Sequence, residues 1–105
     1  MAWLLLTISG GLEVVWAAAL KASDGFSKPL YSGITAIGAF ASFWLLAYAM
    51  KSLPLGTAYP VWVGIGAIGS FLIGILVFGE SATPLRLASA ALIVIGIAGL
   101  KLAEG

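Results

Sequence analysis

Of the 105 residues, 62% are hydrophobic and 9% are charged, and the formal net charge is +1. A soluble domain of this length cannot bury so much apolar surface, so the chain is expected to be an integral membrane protein. The lack of cysteine and histidine excludes disulfides, thiolate chemistry and most transition-metal sites, and so small a net charge argues against a nucleic-acid partner. No metal or cofactor is expected.

Four apolar runs follow one another, predicting an all-α membrane protein with one four-helix transmembrane domain over residues 1–105. The first span covers about 2–20. It has no basic segment before it and carries Glu13, so it does not read as a cleavable signal. Glu13 lies more than a turn from either end. An ionisable side chain at membrane depth is unfavourable by a few kcal/mol or more, and Glu is too short to snorkel far. It therefore reads as a functional site, with helix pairing through a hydrogen bond as the alternative. At helical spacing Gly10, Glu13, Trp16 and Ala17 share one face, with Ser9 beside them.

A polar turn, Lys21 to Pro29, leads to the second span at about 30–50, with Pro29 where a first helical turn tolerates it. Ser42 lies near its middle. The break Lys51 to Gly56 precedes the third span, about 57–78, with Thr57 as its expected cap and Pro60 in its first turn. The fourth span, about 85–102, is capped by Thr83, with Pro84 at its start and Arg86 placed to snorkel. The loops are short, so helices adjacent in sequence are expected to pack antiparallel. No long repeat is present. Strands are not expected, because a barrel needs many more of them with alternating polarity.

The basic residues are nearly balanced across the membrane. Lys51 and Lys101 lie on one side; Lys21, Lys28 and Arg86 lie on the other. By the positive-inside rule that is two against three. Either one charge decides a single orientation, or the chain inserts both ways. Four short helices enclose too little volume for a walled solute path, so a dimer is expected, and dual insertion would permit an antiparallel one.

Gly66, Ser70 and Gly74 recur every four residues in the third span, and Gly38 and Ser42 do so in the second. Such stripes let helix backbones approach. Gly64 and Gly66 lie mid-span and read either as packing positions or as a hinge. Tyr59, Trp62 and Gly66 share a face. Trp62 is deep enough to need a partner for its indole N–H, whereas Tyr59 is close to the membrane interface. Trp44 reads as a lipid-facing or packing aromatic.

The one embedded Glu, the stretch Ala41-Ser-Phe-Trp-Leu-Leu-Ala47, and Gly56-Thr-Ala-Tyr-Pro-Val-Trp-Val-Gly-Ile-Gly66 together resemble the small multidrug resistance (SMR) transporters. The resemblance covers the whole chain. Gly10-Gly-Leu-Glu-Val-Val-Trp16 is similar to the guanidinium-exporter subtype, which carries Trp at that position, where exporters of polyaromatic cations have a small residue. The resemblance implies an antiparallel homodimer that exchanges a cation for protons; the inner (cytoplasmic) membrane is its expected location. It makes Glu13 the shared proton and substrate site, lined by Gly10, Trp16, Ser42, Tyr59 and Trp62. It also assigns the dimer contact to the fourth helix, through Ala91, Leu92 and Gly96. Pro60 is a departure from the family, in which Ala is common there.

Physical chemistry agrees with that implication. Guanidinium is planar, cationic and donor-only, so a carboxylate can accept two parallel N–H bonds from it. Indole faces add cation–π attraction. The N–H of Trp16 or Trp62 and the hydroxyl of Ser42 can donate to Glu13, orienting it. Proton and cation would compete for one carboxylate. The expected function is proton-coupled antiport of guanidinium and small substituted guanidines. The alternatives are export of bulky quaternary or aromatic cations and, further off, a non-transport assembly subunit. No phosphate loop, triad or metal cluster is evident, so an enzyme is not expected.

Overall fold

The computed structural model describes residues 2–104 and is built from four α-helices. These are α1 (Ala2–Ala22), α2 (Pro29–Ala49), α3 (Leu55–Leu76) and α4 (Pro84–Glu104). Each has 21 or 22 residues, or about 32 Å of rise, which matches a ~30 Å hydrocarbon core. All four are long and apolar enough to cross a membrane. No strand occurs among the described residues.

The connections explain where the helices stop. Ser23 organises the α1–α2 turn. Its hydroxyl donates to the Leu20 carbonyl at 2.7 Å and accepts from the Phe26 N–H at 3.1 Å. Its own carbonyl accepts from the Ser27 and Lys28 N–H groups. Asp24, Gly25 and Phe26 all have positive φ, a conformation that ends a right-handed helix within three residues. Before α3, Pro54 is extended, as a residue leading into a helix should be. Two expectations are corrected here. Thr57 lies buried inside the first turn of α3 rather than capping it. Pro60 is the sixth helical residue, so its missing N–H leaves the Gly56 carbonyl without its usual helical donor. Thr83 does cap α4: its hydroxyl accepts from the Arg86 N–H at 3.3 Å, satisfying one of the free donors of the first turn.

The helices lie side by side in the order α2, α1, α3, α4, with only sparse contact between α2 and α3. The molecule measures 42 × 34 × 16 Å, so one chain forms a thin layer and not a closed bundle. The antiparallel expectation holds for α1 with α2 and for α3 with α4. It fails for α2 with α3, because α3 packs instead against α1, running in the same direction. Glycine makes that pairing possible. A methyl group at Gly10 would run into Ile65, one at Gly66 into the Glu13 carboxylate, and one at Gly69 into Val14.

The buried apolar residues Leu6, Leu46, Ala49, Ala58, Val61 and Trp62 form one cluster. It joins the start of α1, the end of α2 and the start of α3, on the membrane side where the chain begins. Toward the other side the groove between α1 and α3 opens. Much apolar surface remains outside, including Leu92 at 68% exposed and Phe40 at 68% exposed. In a membrane that surface meets lipid or another chain.

Candidate functional site

The site is built on the middle of α1, where α2 and α3 both approach. Ser9 and Ser42 are fully buried and exchange hydrogen bonds across the α1–α2 seam. The Ser9 hydroxyl donates to the Ser42 carbonyl at 2.7 Å, and the Ser42 hydroxyl donates to the Ser9 carbonyl at 2.7 Å. Trp62 of α3 then donates its indole N–H to the Ser42 hydroxyl at 3.0 Å. Three helices are thus tied at one level by polar groups that lipid could not satisfy.

Glu13 lies one turn further along α1. It is half-buried and its carboxylate rests against Gly66 of α3. Its Oε1 atom is buried and accepts no hydrogen bond among the described residues. The Trp16 indole N–H is likewise buried and unpaired. Each such group carries a penalty of about 1–3 kcal/mol, more where it is charged. A buried carboxylate oxygen without a donor is a place where a donor-bearing cation or a proton is favoured.

Trp16 and Glu13 leave α1 in different directions. Glu13 meets α3, whereas Trp16 packs over Gly38 of α2, where an added Cβ would stand 3.0 Å from the Trp16 Cβ. The hydroxyl of Ser42 and the indole N–H of Trp62 are engaged with Ser9 and with each other. The expected donation to Glu13 from Trp16, Ser42 and Trp62 is therefore absent within a single chain. The physical reason is proximity: carbonyl Ser9 lies directly across from Ser42, and a hydroxyl has one proton to give.

The aromatic side chains form a row. Trp16 and Phe43 have ring centroids 6.3 Å apart, Phe43 and Trp62 5.3 Å, and Trp62 and Tyr59 5.7 Å, all tilted. Trp62 in this row is buried, while Tyr59 and Phe43 are half-exposed. Phe43 was not singled out from sequence. It stands next to Ser42, but a lone Phe in an apolar run carries no distinguishing mark. Ser9 was also missed as a partner of Ser42, although mid-span hydroxyls on neighbouring helices are natural partners.

Gly10 faces Ile65, and Gly64 faces Ile97 and Ile93 of α4. Both α3 glycines, Gly64 and Gly66, are used for close approach inside a continuous helix. Ala91, Leu92 and Gly96 are exposed on α4; among the described residues α4 packs on α3 alone, apart from Lys101, whose ammonium lies 4.6 Å from the Trp3 ring centre.

Comparison with known proteins fits this geometry. The family described as "Small Multidrug Resistance protein" matches residues 1–93. A guanidinium exporter of Escherichia coli (strain K12) is 60% identical over 102 residues, covering 97% of each chain. The guanidinium exporter of Yersinia pseudotuberculosis serotype I (strain IP32953) is 58% identical over 104 residues, covering 99% of this chain and 100% of its own. One of the same name from Proteus vulgaris is 53% identical over 104 residues. A match over nearly nine-tenths of the chain, joined to four spanning helices, leaves one conclusion: this multi-pass membrane protein belongs to the small multidrug resistance family.

Proposed function

We propose that the protein exports guanidinium and small substituted guanidinium ions in exchange for protons, as an antiparallel homodimer in the inner membrane. One observation carries the reading: a carboxylate oxygen of Glu13, in the middle of a spanning helix, is buried against Gly66 without a hydrogen-bond donor. The names of the similar proteins supply the cation.

Guanidinium presents parallel N–H pairs that match a carboxylate edge. Glu13 holds the ion through that edge. A protonated Glu13 has no charge with which to hold the cation. Each proton bound therefore releases a guanidinium, and each guanidinium bound displaces a proton. Exchange follows if the empty, unprotonated site does not cross the membrane. A single layer of four helices cannot surround such a site, so a second copy completes the wall, and the free outer face of α4 with Ala91, Leu92 and Gly96 joins the copies. The nearly even distribution of Lys and Arg allows the copies to insert oppositely.

The test is proton movement in proteoliposomes driven by a gradient of guanidinium or of tetrapropylammonium. Guanidinium should drive protons the opposite way, with the quaternary ion much weaker. Equal flux with both ions would favour the bulky-cation exporter, and no flux with either would leave only an assembly role.

A further inference from the structure

The chain carries a guanidinium group of its own, on Arg86, and the surroundings of that group describe a binding slot. Arg86 Nη1 donates to the Ser81 carbonyl at 2.6 Å and lies 3.5 Å from the Ser81 hydroxyl. Nη2 pairs with Glu80 Oε1 at 3.3 Å. The guanidinium carbon stands 5.2 Å from the centre of the Phe71 ring. Carboxylate, carbonyl, hydroxyl and aromatic face are together the complement that a planar, donor-only cation needs.

The slot is fixed by backbone. Gly79 has φ +69° and turns the chain back, and the Glu80 N–H donates to the Gly74 carbonyl at 3.0 Å. This lays the Glu80 carboxylate against Gly74 in the last full turn of α3. The carbonyl end of that helix adds negative potential there. A cavity of about 310 Å³ opens beside it, lined among others by Ala17, Lys21, Ser70, Gly74 and Glu80. Ala17 and Ser70 are each one turn beyond Glu13 and Gly66, so the cavity continues the α1–α3 groove outward from the Glu13 contact. Lys21 on its wall is the charge that an entering cation must face.

We infer that Glu80, Ser81 and Phe71, at the exposed turn between α3 and α4, form a second, outer guanidinium site, occupied by Arg86 in the free protein and open to competition from free guanidinium. Its use as a station for transported substrate rests on the proposed function; the binding does not. Arg86 is tethered, so it holds the slot at a high effective concentration, and removing it exposes the full affinity for the free ion.

The experiment is an NMR titration of the isotope-labelled, full-length protein in bicelles with guanidinium chloride. Signals of Ser81 and Ala82 report the outer slot; those of Glu13 and Gly66 report the inner site. In Arg86→Ala the loop signals should saturate at about tenfold lower guanidinium than in wild type. Arg86→Gln, which keeps the side-chain length, should do the same. Both responses should vanish when Glu80→Gln is added. Tetramethylammonium, a cation with no N–H donors, should leave the loop unmoved. Equal shifts with tetramethylammonium, or no saturable loop response in either Arg86 variant, would overturn the inference. A silent Glu13 with a responsive loop would count against the proposed function alone.

Discussion

Glu13 is the residue on which the account turns. It stood out in the sequence because an acidic side chain inside an apolar run has no cheap structural explanation. Its neighbour Gly66 was visible as part of a small-residue stripe and as a packing or hinge position, but neither reading says which helix comes close or what it touches. Replacing Glu13 with Gln keeps the shape and removes both the charge and the titrating proton. Guanidinium-driven proton flux should then fall to the level of empty liposomes; Glu13→Asp should retain part of it. Gly66→Ala should also be harmful, since the new methyl meets the carboxylate itself. Overpacking of that kind is worth about 1–3 kcal/mol, or about fivefold to 150-fold in guanidinium affinity. A titration giving wild-type affinity would show that Glu13 swings away freely. Trp16 is separable from Glu13, because it packs on α2. Trp16→Phe keeps most of the ring and loses the N–H, whereas Trp16→Gly opens space. If Trp16 sets selectivity, the ratio of guanidinium to quaternary-ammonium transport should drop in Trp16→Gly; an unchanged ratio in both variants removes it from the site.

At the scale of helices, the four apolar runs were legible because membrane thickness sets a length that sequence can show. The Thr83 cap was legible for a local reason, a hydroxyl residue directly before a Pro that opens the helix, whereas the start of α3 was not, because Pro54 and Leu55 carry no side-chain cap and Thr57 looks like one. The parallel α1–α3 contact could not be read either, since loop length constrains neighbours in sequence and says nothing of α1 and α3. What ties α1 to α2 is the exchange between Ser9 and Ser42, with Trp62 donating into it. Single replacements, Ser9→Ala and Ser42→Ala, should each lower the thermal stability of the detergent-solubilised protein. Ser42→Ala should lower it more, because it also leaves the Trp62 N–H without its acceptor. Their effects should be additive to within about 0.5 kcal/mol, because each hydroxyl donates to the other residue's backbone carbonyl, which the substitution leaves in place. A coupling well above that size would mean that the two hydroxyls bond each other and not the carbonyls.

The whole molecule is a layer 16 Å thick, with α4 bound on one edge and broad apolar faces outside. A layer cannot wall off an ion path, which is the structural ground for a dimer. Opposed insertion is checkable, because the chain has no cysteine. Single cysteines in the Lys21–Pro29 turn should be labelled by an impermeant thiol reagent in about half of the molecules in intact cells. Labelling of all or none would refute dual topology, and added Lys on one side should tip the ratio. None of these tests reaches the shared carboxylate as directly as one equilibrium measurement on the purified protein in weakly buffered detergent. Guanidinium is added over a range of pH and the protons released are counted against the guanidinium bound. Within a range of pH, protons should appear in step with guanidinium and saturate with it, and Glu13→Gln should release none. Guanidinium binding to the native protein with no proton released at any pH would contradict a shared carboxylate.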